Sequence, residues 1–149
     1  MVTLKIKTLK KGWHDKDLIM LHAAFQLLTD YIELEKPEEI IDWSESPHNE
    51  AWKEIKYLYN WWTKKRPARK EKDFAEPLTK EEYKAYGLDH LDVITSNWKF
   101  KPDLPLGVIR KIENYKKKLL KLYEQMETWD NEDQENLERL VKIREHLWT

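Results

Sequence analysis

The chain has no cysteine among its 149 residues, which excludes disulfides, thiolate zinc sites, iron–sulfur clusters and a cysteine nucleophile. Glycine occurs only three times, too sparsely for a turn-rich β-sandwich or barrel, so long helices are favoured. No stretch approaches an uninterrupted apolar run of membrane-spanning length, and the N-terminus MVTLKIKTLKKGW alternates apolar with charged residues. Neither a signal peptide nor a membrane span is expected. The GxxxxGK[ST] and GxGxxG loops and the GxSxG motif are missing as well, which removes the usual phosphate-cradle and hydrolase readings.

What is present is charge and aromatic surface. Charged residues make up 37% of the chain and apolar ones 40%, enough to bury one core, and residues 1–149 read as a single, mainly α-helical domain. The net charge of −1 hides alternating blocks. Residues 30–50 carry eight acids against Lys36, a balance of −7, and residues 51–72 carry eight basic residues against Glu54 and Glu71, a balance of +6. Residues 2–16 come to +4, residues 110–121 to +5 and residues 124–138 to −7. The plainest expectation is that helix faces of opposite sign pair with one another.

Val2, Leu4 and Ile6 alternate with Thr3, Lys5 and Lys7, the period of a short half-buried strand. Such a strand needs a partner, either near residues 93–100 or in another copy of the chain. Asp15 is placed to cap a first helix, with Trp13 as its staple residue and Leu18, Leu21, His22, Phe25, Leu28 and Ile32 as its inner stripe, running to about Glu35 before Pro37 ends it. Residues 38–43 allow one further turn. Ser46 and Pro47 open a second helix over about residues 47–65, with Trp52, Ile55, Leu58, Tyr59 and Trp62 inward and Tyr57, Trp61 and Lys64 on an adjoining face. Thr79 and Glu82 form a capping box for a short third helix that Gly87 stops. From Leu106 the three-and-four spacing of Val108, Ile112, Tyr115, Leu119, Leu122, Met126 and Trp129 predicts a long C-terminal helix. That helix either continues or becomes a helix pair broken at Asp130–Asp133.

The densest aromatic and basic stretch is AWKEIKYLYNWWTKKRPAR. Tyr57 and Trp61 lie one turn apart, with Lys64, Lys65, Arg66 and Arg69 just beyond. Aromatic faces stack on a nucleobase while Arg and Lys hold its phosphates, so the pattern suits a small phosphorylated or nucleotide ligand. Trp13 and His14 are candidates to close such a site from a neighbouring segment or subunit. The competing structural reading makes the tryptophans core and the basic residues a helix C-terminal complement. His14 with Asp15 and Asp17, and His90 with Asp89 and Asp92, are the two places where a histidine lies among carboxylates, and capping explains both. His22 falls on the apolar stripe, as a core histidine would. Glu132, Glu135 and Glu138 are spaced like a solvated helix face, not like paired metal-binding motifs. No cofactor or metal is expected. Nucleic acid is an improbable partner for a chain of pI about 6.5 with two strongly acidic blocks.

The segments LKKGWHDKDLIMLHAAFQLLTDYIE, EIIDWSESP, AWKEIKYLYNWWTKKRPAR and WDNEDQENLERLVKIREHLWT cover about half of the chain. Through GWHDKD, YNWW followed by RPAR, and the LWT ending, it resembles a family of small proteins of tailed bacteriophages, a resemblance that carries no activity with it. It implies a phage accessory protein in the cytoplasm of an infected bacterial cell. The expectation is a non-enzymatic, counter-defence protein that self-associates through the N-terminal strand or the last helix and sequesters a nucleotide-like host signal. The alternative is an interaction module that blocks a host protein through an acidic face at residues 124–138.

Overall fold

The computed structural model describes residues 3–147. All its regular structure is helical: α1 (Lys16–Asp30), α2 (Pro37–Ile40), α3 (His48–Asn60), α4 (Lys80–Tyr86), α5 (His90–Thr95) and α6 (Leu106–Lys142), with short 3-10 turns at Arg66–Ala68, Asn97–Phe100 and Arg144–His146. The chain forms two compact units, one of Met1–Arg69 with Trp129–Thr149 and the other of Lys70–Thr128.

In the first unit α1 begins after the extended Asp15, with Asp17 in its first turn where the helix dipole favours an acid. Leu21, Phe25 and Leu28 turn inward, and the helix continues as a π turn over Tyr31–Glu35. Lys36, at φ 49°, takes the left-handed conformation, and Pro37 starts the single turn of α2. The Ser46–Pro47 peptide is cis, and α3 begins at His48. Ile55 and Leu58 bury fully against α1, while Leu140 closes the same core from α6. α3 also leaves through a π turn, Trp61–Lys65.

The structure corrects the placement of Trp61. This residue opens the π turn, but its own amide still reaches the Tyr57 carbonyl as in an α-helix, and it follows Leu58 by three residues, close enough to the core stripe for its indole to turn inward. Trp61 and Trp62 are both buried, at 2% and 4% exposure, packed on the Phe25 ring with centroids 5.3 and 4.6 Å away.

The N-terminal strand is not formed: residues 3–7 pair with no strand, and Val2 lies outside the described residues. The reason lies in tertiary contacts with α1. The Lys7 amide donates to Oε1 of the buried Gln26 at 3.0 Å, and the Thr8 hydroxyl meets His22 Nδ1 at 2.6 Å. The Lys7 amide and the Thr8 hydroxyl are thus taken by side chains of α1. The other half of the expected pairing, residues 93–100, lies in α5 and a 3-10 turn.

In the second unit the Thr79–Glu82 capping box opens α4, and Gly87, at φ 63°, ends it with the Leu88 amide reaching back to the Tyr83 carbonyl at 2.9 Å. Asp89 and Asp92 form a second capping box for α5. Leu78, Leu88, Val93, Trp98, Val108 and Ile112 make this unit's core. α6 runs unbroken for 37 residues, about 55 Å at 1.5 Å per residue. It passes straight through Asp130–Asp133, where Glu132 and Asp133 are used in tertiary contacts and no new helix is capped.

Candidate functional site

The basic residues that follow α3 meet the C-terminal part of α6 within the first unit. Arg66 donates from Nε to Asp133 Oδ1 at 2.9 Å and from Nη2 to Oδ2 at 3.0 Å, a planar two-point fit that only a guanidinium provides. Arg69 reaches the same carboxylate through Nη1 at 2.8 Å. Its Nη2 donates to Glu132 Oε1 at 3.0 Å and to the Trp129 carbonyl at 3.3 Å. The Trp61 indole N–H also donates to Glu132 Oε1. These bonds, the one from Trp61 first, hold the Glu132 carboxyl below its ordinary range.

Aromatic rings enclose the two cations. The Arg66 guanidinium lies 4.9 Å from the Trp62 ring centre, and that of Arg69 lies 5.7 Å from those of both Trp61 and Trp129. His22 meets Trp62 edge-on at 4.9 Å. Burial, reinforced by the nearby Arg66, lowers the His22 pKa to about 4, so its imidazole is neutral at pH 7 and adds no further positive charge.

The sequence-derived site residues are therefore divided. Trp61, Arg66 and Arg69 come together, but as a closed network: the indole is inside and both guanidiniums are committed to carboxylates. Lys64 and Lys65 are exposed. Tyr57, 39% exposed, carries the Lys65 ammonium 5.4 Å and the Arg139 guanidinium 4.1 Å from its ring centre, and Arg139 is itself held by Glu54 through two bonds. Trp13 stands 85% exposed, and His14 binds the Lys10 carbonyl through Nε2 at 2.7 Å. The other tryptophans are mostly structural: Trp43 stacks on Trp52 at 4.9 Å and Trp98 is buried in the second unit.

Sequence reasoning missed Trp129, Glu132 and Asp133 as partners of the basic stretch. The available signal was the match between a +6 and a −7 block. His90 likewise pairs with Glu76 at 2.9 Å, an acid outside its own helix, while Asp89 and Asp92 cap α5. Among the described residues no group of histidines and acids is placed to hold a metal ion, and no helix is long and apolar enough to cross a membrane.

An open feature of the first unit is a cleft between α1 and α6 of about 520 Å³, lined by Leu18, Met20, Leu21 and Leu137 and by the polar residues Asp17, Asp130, Asp133 and Gln134. A shallower groove continues along α6 past Gln134 and Leu137 to Glu138 and Val141. Asp133 faces its two arginines, whereas Asp17 and Asp130 enter no salt bridge among the described residues. The arrangement is an apolar floor with unspent negative charge at its edge. No family model, curated protein or solved structure matches the chain.

Proposed function

We infer that the protein is a non-enzymatic interaction module whose α1–α6 cleft takes a basic, amphipathic helical segment of a partner protein. The observation that carries this reading is the pairing of an apolar floor, Met20 and Leu137, with the unpaired acids Asp17 and Asp130. A partner helix would seat apolar side chains on that floor and place Lys or Arg against the acids. Of the acidic block at residues 124–138, Glu132 and Asp133 are spent internally, so Asp130 and Glu138 are its available part on this side. Taken with the resemblance to tailed-phage proteins, the partner would be a host protein in the infected cell and the outcome its inhibition.

Nucleotide sequestration is supported less. A phosphate at Arg66 and Arg69 would have to displace Asp133 and Glu132, and a base could not stack on the buried Trp61. What remains for that reading is the Tyr57 ring with Lys64 and Lys65.

A defined pair of probes separates the two. A fluorescein-labelled helical peptide of alternating Leu and Lys faces should bind, read by anisotropy at low salt, and its Glu-for-Lys counterpart should not. Binding should weaken at least tenfold in Asp17→Asn/Asp130→Lys and fall with added salt. Equal binding by the variant sinks the reading. Saturable quenching of tryptophan fluorescence by one member of a nucleotide panel, lost in Tyr57→Ala, would replace it with the sequestration reading.

A further inference from the structure

We propose that the segment taken by the α1–α6 cleft is a helix of about three turns, with acids in its first turn and bases in its last, lying antiparallel to α6. The inference rests on the interaction-module reading and adds the partner's charge polarity and direction. The cleft does not stop at Leu137. It shares Gln134 and Leu137 with the shallower groove that runs on past Val141 to Lys142, so the two form one trough along α6. Residues 130–142 of that helix extend about 18 Å at 1.5 Å per residue, which a second helix matches with about a dozen residues. The floor stays apolar: Met20 and Val141 are 67% and 53% exposed, and Leu137 belongs to both halves. The two walls also share a direction. Asp17 and Met20 of α1 lie at the Asp130 end, and farther on the Tyr31 hydroxyl donates to the His146 carbonyl at 3.2 Å.

Charge changes sign along the trough. Asp17 and Asp130 stand exposed at its start. Glu138, farther along, already accepts from Gln134 Nε2 at 2.9 Å, and the far end is Lys142, exposed and in no salt bridge among the described residues. A partner basic along its whole length would set a cation against that lysine. One with Lys or Arg at the cleft end and Asp or Glu at the other meets opposite charge at both. Helices themselves favour acids in the first turn and bases in the last, where each complements the macrodipole. A helix with that bias matches the trough only when its last turn lies at Asp17 and Asp130 and its first turn at Lys142, antiparallel to both walls. The same direction sets its negative C-terminal pole beside the positive N-terminal pole of α1.

Two peptides of about 14 residues test this, each locked helical by a hydrocarbon staple on its outward face so that helix content stays equal. The first has Leu on its inner face, Glu in its first turn and Lys in its last; the second carries Lys in place of the first-turn Glu. Anisotropy is read at about 0.15 M salt, where charges more than about 8 Å apart are largely screened. The unaltered protein should bind the first peptide about five- to tenfold more tightly than the second, and Lys142→Glu should reverse that preference. Since the chain has no cysteine, direction can be read chemically. Val141→Cys should be alkylated by a chloroacetyl group at the N-terminus of the first peptide and not by one at its C-terminus, and Met20→Cys should show the converse. Equal binding of the two peptides, a preference unmoved in Lys142→Glu, or capture of the opposite end overturns the inference, and the cleft reading stands if the Leu and Lys peptide still binds. If that peptide and both stapled ones fail to bind, the cleft reading falls and this inference with it.

Discussion

Arg66 and Asp133 are 67 residues apart in sequence and meet through two parallel hydrogen bonds of 2.9 and 3.0 Å. The side chains keep only 21% and 14% of their exposure, so this is a pair largely withdrawn from water and shared with Arg69. It joins the exit of α3 to the last part of α6 and turns the most ligand-like stretch of the sequence into a structural joint.

Removing the shared carboxylate should therefore be severe. Asp133→Asn keeps the shape but leaves the Arg66 guanidinium without its counter-charge and Arg69 with Glu132 alone, and a loss of about 3–5 kcal/mol is expected. Urea denaturation of the variant, read by far-ultraviolet circular dichroism, checks it. A change below about 1 kcal/mol, the size of an exposed pair, would mean the network is solvated.

Trp61 should behave as a core residue. Trp61→Ala is expected to cost about 3–5 kcal/mol through cavity formation. Trp61→Phe should cost less, because the ring contact with Phe25 survives and only the N–H bond to Glu132 is lost. Thermal unfolding of the two variants should rank them in that order. The same result makes Trp61→Ala a poor probe of ligand binding, since it would report unfolding; Tyr57→Ala is the variant that leaves the core alone.

His22 makes stability depend on pH in a stated direction. Its pKa falls from 6.5 unfolded to about 4 folded, chiefly through burial. Between those values the unfolded chain binds more protons than the folded one. Stability is therefore full above about pH 6.5, declines as the pH falls, and has lost the whole contribution of up to about 3 kcal/mol below about pH 4. Unfolding free energies measured from pH 7 down to 4.5 should show that slope. His22→Asn, whose amide can still meet the Thr8 hydroxyl, should flatten it.

In the second unit two positions limit α4. Thr79→Ala removes the capping-box acceptor for the Glu82 amide and should cost about 1 kcal/mol. Gly87→Ala forces a β-carbon into a left-handed residue and 3.2 Å from Lys101 Nζ, and should also cost about 1 kcal/mol. Hydrogen exchange should speed up in α4 in both variants.

Local signals were legible before any coordinates. The Thr79–Glu82 box, the Gly87 stop and the Pro37 boundary act through atoms within a few residues, so the helices they bound appear where their residues predict them, while Asp15 precedes α1 without a side-chain capping bond. The periodic burial of Leu21, Phe25, Leu28, Ile55, Leu58 and Ile112 follows from one residue every 100° around a helix. Even the pairing of opposite charge blocks was readable as a tendency.

The sequence by itself thus determined a helical chain, its main helix boundaries and the inner stripes. These depend on short-range sterics, capping bonds and the period of the helix. Tertiary structure alone decided the rest. It left the N-terminal segment without a strand partner because Gln26 and His22 took its polar groups, and it carried α6 through an acidic stretch that elsewhere would cap a new helix. It turned the Trp61 indole inward against Phe25 and onto Glu132, and spent Arg66 and Arg69 on Asp133 and Glu132. Each outcome rests on a contact between residues 14 to 71 positions apart, and no local pattern reports which of several oppositely charged or apolar partners folding will bring within reach.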